Sequence, residues 1–320
     1  MITVVLPTRN PHQGRLARTL AGLAAQTLPP AEWEMVLVDN GSEPALSSTL
    51  VHQIEIEGRI IVERRAGLTP ARLAGILAAR GEVIVFVDDD NVLNPDYIQQ
   101  VAANFAGRPA LGAAGGPVVP EWETTPPDWT REFHGLLALR DFGSQRQLAV
   151  GGPQAPWPTF APVGAGLAVR SHYARKYARA VSNDPRRSGL DRKGNSLASG
   201  GDNDLVFTVL HSGGDVGYFP DLRLTHLIPN GRLGPDYLAR LNRGIMRSWV
   251  NVLALHGQCP WRALSPASVW LRVTRAFFRA RVWQGPAARI RWAGMVGQFE
   301  GQADLKSRKK HSTGSQGFDC

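Results

Sequence analysis

An apolar run of five residues, Val83-Ile84-Val85-Phe86-Val87, ends directly in three carboxylates, Asp88-Asp89-Asp90. So short a run, with no polar alternation, reads as a strand buried on both faces, the pattern of a parallel sheet covered by helices. Its carboxyl end surfaces where the charges begin. In open α/β sheets that edge is where ligands bind. Three adjacent carboxylates repel one another unless protons or a cation neutralise them. A hard divalent ion, Mg²⁺ or Mn²⁺, takes oxygen ligands and is often shared with a substrate phosphate. The plain alternative is one N-capping aspartate with two solvated neighbours.

The first 90 residues carry the rhythm such a sheet needs. Residues 3–6 read as a buried strand closed by Pro7, and residues 16–25 have helical spacing. Residues 34–38 form a second strand, followed by a turn at Asp39-Asn40-Gly41-Ser42, and residues 59–63 a third. Residues 70–79 read as a helix stopped by Gly81, and Asn94-Pro95 as the N-cap and first position of another. Strand alternating with helix predicts an α/β fold with a sheet flanked by helices.

Beyond residue 115 the pattern loosens. Residues 117–162 are rich in Pro, Gly and Trp, and residues 182–201 read as a mobile surface loop. Strand signals return at 166–170 and 216–219. From about Pro235 the chain reads as helical, with Ser265-Pro266 opening a helix that runs to about Trp283. The polar end is expected to be disordered. This divides the chain into a catalytic domain over 1–230 (nucleotide-binding half 1–115, acceptor-binding half 116–230), a basic helical extension over 231–303 and a disordered basic tail over 304–320.

Composition narrows the classes. Two cysteines, Cys259 and Cys320, give no disulfide framework and fit a reducing compartment. The start lacks a signal-peptide pattern, and no stretch approaches the ~20 apolar residues of a membrane span. The expected location is cytoplasmic, with possible peripheral attachment to the inner face of a membrane. Residues 231–320 hold 15 Lys/Arg against 4 Asp/Glu, whereas the first 230 residues hold 21 against 23. A near-neutral body with a basic appendage calls for an anionic surface. No nucleic-acid motif is present, so nucleic acid is not the expected partner. In the appendage, Val269, Trp270, Val273, Ala276, Phe277 and Ala280 share one helix face, and Arg272, Arg275 and Arg279 another. Such a helix either lies in a membrane interface or packs on the catalytic domain with its arginines in water.

Three segments occur in order: Val4-Val5-Leu6-Pro7-Thr8-Arg9-Asn10, Val36-Leu37-Val38-Asp39-Asn40-Gly41-Ser42 and Val85-Phe86-Val87-Asp88-Asp89-Asp90-Asn91. Together they resemble the family 2 glycosyltransferases of the GT-A fold, over roughly residues 1–230. The resemblance implies inverting, metal-assisted transfer of a sugar from a nucleotide-diphospho-sugar, a UDP-sugar favoured. Its acceptor is a saccharide or lipid-linked saccharide, in cell-surface polysaccharide or glycolipid synthesis. Pro7, Thr8 and Arg9 then line the base pocket and Asp39 contacts the base. Arg72 neutralises the diphosphate, although Leu73 stands where the family often has asparagine. Asp88 and Asp89 contact ribose or sugar, and Asp90, in a DxD-type motif, binds the metal. Gly201-Asp202-Asn203-Asp204-Leu205 resembles the Glu-Asp-x-Asp-Leu segment, which makes Asp202 the general base with Asp204 the alternative. Gly201 replaces the glutamate. His226 is read either as a further metal ligand or as a structural histidine.

Each assignment has an ordinary counterpart: an Asx-turn for Asp39, an exposed helix residue for Arg72, a helix cap for Asp202. The segment 164–170, rich in glycine, suits either a close approach to the donor sugar or a plain bulged strand. Arg240-Leu241-Asn242-Arg243 resembles part of the acceptor motif of processive synthases, but Gly244 stands in place of tryptophan. A processive synthase is therefore not expected. Two other classes remain: a nucleotidyltransferase, for which Pro7-Thr8-Arg9-Asn10 is a poor phosphate loop, and a non-catalytic, membrane-associated scaffold.

Overall fold

The computed structural model describes residues 1–47, 50 and 57–312. They form two compact units. The first comprises residues 1–124, 137–189 and 201–229; the second comprises 125–136, 190–200 and the chain from 230 onward.

The first unit is built on a mixed sheet. Its elements are β1 (Ile2–Thr8), α1 (Gln13–Ala24), β2 (Trp33–Asp39), β3 (Glu57–Val62), α2 (Leu68–Ala78), β4 (Val83–Phe86), β5 (Asn91–Leu93) and α3 (Tyr97–Ala106). After these come β6 (Leu111–Gly115), β7 (Val118–Trp122), β8 (Gln147–Ala149), β9 (Ala168–Arg170), α4 (Ser171–Asn183), α5 (Gly201–His211), β10 (Asp215–Tyr218) and β11 (Leu224–Ile228). Among the described residues the main sheet runs β3-β2-β1-β4-β9-β6-β10-β8. Strands β3, β2, β1 and β4 are parallel, and β9 is antiparallel to both β4 and β6.

The apolar runs create this arrangement because both faces are covered. Along β1, Val4 and Leu6 enter one core cluster and Val5 the other; along β4, Val85 and Ile84 divide in the same way. A strand that buries consecutive residues cannot be an exposed edge. At the amino ends of the strands, Glu34 is fully buried. It accepts hydrogen bonds from Thr3 Oγ1 at 2.7 Å and the Arg80 amide at 2.8 Å, and pairs with Arg59 at 2.5 Å. Burial pushes its carboxyl upward, but the bonds from Arg59, Thr3 and Arg80 outweigh this and hold it below the ordinary value.

A second sheet, β5-β11-β7, lies beside the acidic turn, with β11 antiparallel to β5 and parallel to β7. Its register sets His226 opposite Asn91.

In the second unit, α6 (Pro235–Leu255), α7 (Pro266–Arg279) and α8 (Pro286–Ser312) follow one another. Helix α8 meets α6 along Gly294, Gly297 and Gly301. A Cβ at Gly297 would stand 2.1 Å from the Arg243 carbonyl oxygen, and one at Gly301 2.7 Å from Val250 Cβ. The glycines let the two backbones approach closely.

Four sequence expectations change. The third helix starts at Tyr97 after Asp96 rather than at Asn94-Pro95, because β5 and its turn occupy residues up to Asn94. The expected mobile loop at 182–201 is ordered locally: Asp184 caps a single turn, Pro185–Ser188, and Leu190 and Asp191 are buried. The tail expected to be disordered from 304 continues as helix to Ser312, because Asp304 is tied to Arg247 and Asn251 on α6. Residues 313–320 lie outside the described residues. Finally, Trp270 is not on the packed face of α7. Ala276 is the buried centre of that face, and Trp270 sits off its rim, 71% exposed.

Candidate active site

Strands β1, β2 and β4 are in register, so their carboxyl ends finish together. Thr8 pairs with Asp39 across β1 and β2, and the Val87 amide donates to the Val5 carbonyl at 3.0 Å. The three carboxylates after β4 each meet a different neighbour. The turn fans them into three directions, which relieves the repulsion expected of adjacent charges.

Asp88 faces Arg72, with Nη2 3.9 Å from Oδ1. Asp89 accepts a short hydrogen bond from Thr8 Oγ1. Asp90 is buried, accepts from Asn91 Nδ2 at 3.1 Å and lies 3.5 Å from His226 Nε2. Backbone bonding fixes that last approach, since the Leu227 amide donates to the Asp90 carbonyl at 2.8 Å. His226 Nδ1 lies 3.0 Å from the Leu137 carbonyl. A carbonyl only accepts, so Nδ1 carries the hydrogen, and Nε2 is the ring atom that faces the Asp90 carboxylate. With a hydrogen on Nε2 the pair is a hydrogen bond; without one, Nε2 and the carboxylate are two acceptors able to share a cation. Among the described residues no three His, Cys, Asp or Glu side chains converge as a complete metal cage.

Arg72 rises from α2, is 7% exposed and stacks over Phe86 with its guanidinium carbon 5.7 Å from the ring centroid. Across from it, Asp202 in the first turn of α5 accepts from the Gly164 amide at 2.9 Å through Oδ2. Arg72 and Asp202 close on the same point: a Cβ on Gly164 would meet Arg72 Nη2 at 2.4 Å and Asp202 Oδ2 at 3.3 Å. Asp204, two places further along the helix, is fully buried and paired with Arg187 at 2.5 Å. Of the two aspartates, only Asp202 is partly open to solvent.

Other named residues sit differently. Pro7 is buried at the end of β1 and Arg9 is exposed. Both oxygens of Asp39 are engaged in its own loop, accepting from the Ser42 amide at 2.8 Å and the Leu46 amide at 3.1 Å. Burial raises its carboxyl, yet the bonds from Ser42 and Leu46 prevail and hold it below the ordinary carboxylate value.

Three residues had no assigned role in the sequence. Asn40 binds the Glu63 and Arg65 carbonyls at 2.9 and 2.8 Å and accepts from the Gly67 amide at 2.8 Å, tying the β2 loop to the start of α2. Asn91 braces the acidic turn from both sides, accepting from the Asp88 amide and donating to Asp90. Arg140 is drawn in by a bridge to Val118, and its buried Nε has no hydrogen-bond partner among the described residues. Burial lowers its guanidinium pKa, against the opposing charge of Asp202. Only Asn40 and Asn91 had a local signal, as polar residues next to strand-end aspartates. Arg140 lies in a segment without a readable pattern.

Comparison with known proteins agrees with this frame. The family model described as glycosyl transferase family 2 matches residues 3–163. A glucosyl-dolichyl phosphate glucuronosyltransferase of Haloferax volcanii is 27% identical over 136 residues, 41% of this chain and 43% of that protein. A dodecaprenyl-phosphate galacturonate synthase of Rhizobium johnstonii is 34% identical over 116 residues, 33% of each. The chain thus spans less than half the length of these curated relatives. Among solved structures, S. aureus TarS residues 1–349 in complex with UDP-GlcNAc superposes with a TM-score of 0.51 at 12% identity, covering 97% of this chain and 92% of that one. That likeness is one of fold.

Proposed function

Because this chain belongs to glycosyl transferase family 2 and has the GT-A fold, we propose that it transfers a sugar from a nucleotide-diphospho-sugar to an acceptor hydroxyl with inversion. One observation carries the reading: Arg72 and Asp202 converge at Gly164, directly beside the acidic turn. A leaving diphosphate needs a cation, and an attacking hydroxyl needs a base.

In this reading Asp202 takes the acceptor proton. Its Oδ2 is oriented by the Gly164 amide, while the buried, paired Asp204 is withheld. Attack by an activated hydroxyl on the face opposite the leaving group inverts the anomeric carbon. Arg72 meets the diphosphate, preorganised by Phe86 beneath it. Pro7, Thr8, Arg9 and Asp39 edge the base pocket, and Thr8 holds Asp89 for ribose or sugar hydroxyls.

Asp90 and Nε2 of a neutral His226 are the residues that would hold a divalent ion. When bound, Mn²⁺ or Mg²⁺ supplies charge neutralisation to the departing diphosphate. The uridine base is favoured because the TarS fold relative was solved with UDP-GlcNAc. A lipid-linked acceptor is in keeping with the polyisoprenyl-phosphate names of two relatives. A thermal-shift panel of UDP-, GDP- and dTDP-sugars with and without Mn²⁺ tests the reading, followed by NMR of the product anomer. Stabilisation by one nucleotide class, greater with Mn²⁺, is expected. No response to any nucleotide sugar, or a retained anomer, would overturn it.

A further inference from the structure

From Tyr237 to Phe299 the chain contains no Asp or Glu but ten arginines. Four of those on α6 and α8 find carboxylates outside that stretch: Arg243 with Glu300, Arg247 with Asp304, Arg289 with Asp236 and Arg291 with Glu132. Arg272, Arg275 and Arg279 on α7 have no such partner among the described residues, and all three are exposed. At intervals of three and four residues they form one stripe.

Beside that stripe runs a second one. Trp270 is 71% exposed, Phe278 and Trp283 are each 62% exposed, and Leu271 is also exposed. An ordinary surface helix hides its apolar face and shows a polar one. Helix α7 hides Ala276 and still leaves large aromatic side chains in water. Between α7 and α8 lies a groove of about 580 Å³ lined by Leu271, Arg272, Arg275, Arg279, Met295 and Phe299. A lining that joins apolar side chains to three arginines matches an amphiphile with an anionic head and an apolar chain. No helix among the described residues is long and apolar enough to cross a membrane.

We propose that α7 and the turn after it form a docking surface for an anionic lipid bilayer. Arg272, Arg275 and Arg279 take lipid phosphates. Trp270, Phe278 and Trp283 enter the boundary between head groups and acyl chains, where amphipathic rings reside. Arginine suits the phosphate role because its planar fork makes paired hydrogen bonds. The surface is independent of the transfer chemistry.

Flotation of the full chain with vesicles tests it, using phosphatidylcholine alone and phosphatidylcholine with 30% phosphatidylglycerol as the two compositions (about one lipid in three anionic). The expected result is binding to the anionic vesicles, weakened by salt, and little binding to the neutral ones. The triple variant R272Q/R275Q/R279Q should lower the partition coefficient about a hundredfold, from the attraction each basic residue contributes at an anionic surface. The variant W270S/F278S/W283S should also lose vesicle binding. All these positions are exposed, so both variants should keep the wild-type melting temperature. Equal binding to both compositions, or none to either, overturns the proposal. An aromatic variant that still binds vesicles fully, with arginines equally needed for a DNA duplex, assigns the stripe to general polyanion binding instead. A dimer in light scattering that the aromatic variant dissolves assigns the patch to a second copy. A wild-type chain that binds vesicles only after removal of residues 313–320 assigns it to that segment.

Discussion

Replacing Gly164 by alanine sets a methyl group 2.4 Å from Arg72 Nη2 and 3.3 Å from both Arg72 Cζ and Asp202 Oδ2. Ordinary contact begins near 3.4 Å, so the guanidinium must retreat by about 1 Å. The obstacle is the end of a long side chain, and Gly164 is not in the left-handed region. The fold should absorb the change for about 1 kcal/mol, the low end for overpacking. Catalysis should not, because a displacement of about 1 Å in a positioning group costs on the order of a hundredfold. The assay is kcat/KM for transfer from the donor found in the thermal-shift panel, read beside the melting temperature. A double variant, Gly164→Ala with Arg72→Ala, gives the decisive comparison. If the methyl acts by moving Arg72, the double variant is no worse than Arg72→Ala alone. Gly166→Ala is the contrasting control. Its φ is +72°, and its Cβ would stand 2.4 Å from Leu224 Cδ2 and 2.5 Å from the Tyr97 hydroxyl, so it should lose melting temperature first. Wild-type kcat/KM in Gly164→Ala, or losses that multiply with those of Arg72→Ala, would refute the reasoning.

The two aspartates of α5 should part company. Asp202→Asn is expected to lose about 10²–10⁴-fold in kcat at an unchanged melting temperature, whereas Asp204→Asn strands the Arg187 charge and should cost about 3 kcal/mol in urea unfolding; the opposite pattern would exchange their roles. His226→Ala removes the nitrogen facing Asp90 and should raise the Mn²⁺ concentration for half-maximal donor binding at least about tenfold by calorimetry; an unchanged Mn²⁺ dependence would remove His226 from the ligand set. Glu34 contributes stability that is complete above its ordinary value of 4.5 and is lost as pH falls through its lower value in the fold. Glu34→Gln should therefore be about 1–3 kcal/mol less stable at pH 7 and lack that share of the acid-side loss, and unfolding curves that stay parallel from pH 7 to pH 3 would show that Glu34 contributes none of it.

Legibility in the sequence followed the range of the interactions involved. Strands β1, β2 and β4 were readable because burial on both faces leaves an unbroken apolar run, and the end of such a run locates the ligand edge by itself. The helix of residues 171–183 was missed because its burial depends on Ala174, Tyr177, Ala178 and Val181 spaced among Arg175, Lys176 and Arg179, a pattern that packing decides and composition hides. Helix α8 was cut short for the opposite reason. Its last turns are polar, and what holds Asp304 is an arginine 57 residues earlier.

The candidate site divides along the same line. The acidic turn is a local event, so its position was clear from the chain alone. The three directions taken by its carboxylates depend on Arg72, Thr8 and His226, from three other elements. Asp202 and Asp204 differ by two places on one helix and cannot be told apart by spacing. Arg187 and the Gly164 amide separate them, one by pairing, the other by presentation. Arg140 completes the argument. It is drawn in by a bridge to Val118, its buried Nε has no hydrogen-bond partner among the described residues, and the charge of Asp202 opposes the lowering of its pKa by burial, none of which the residues around it in the sequence signal.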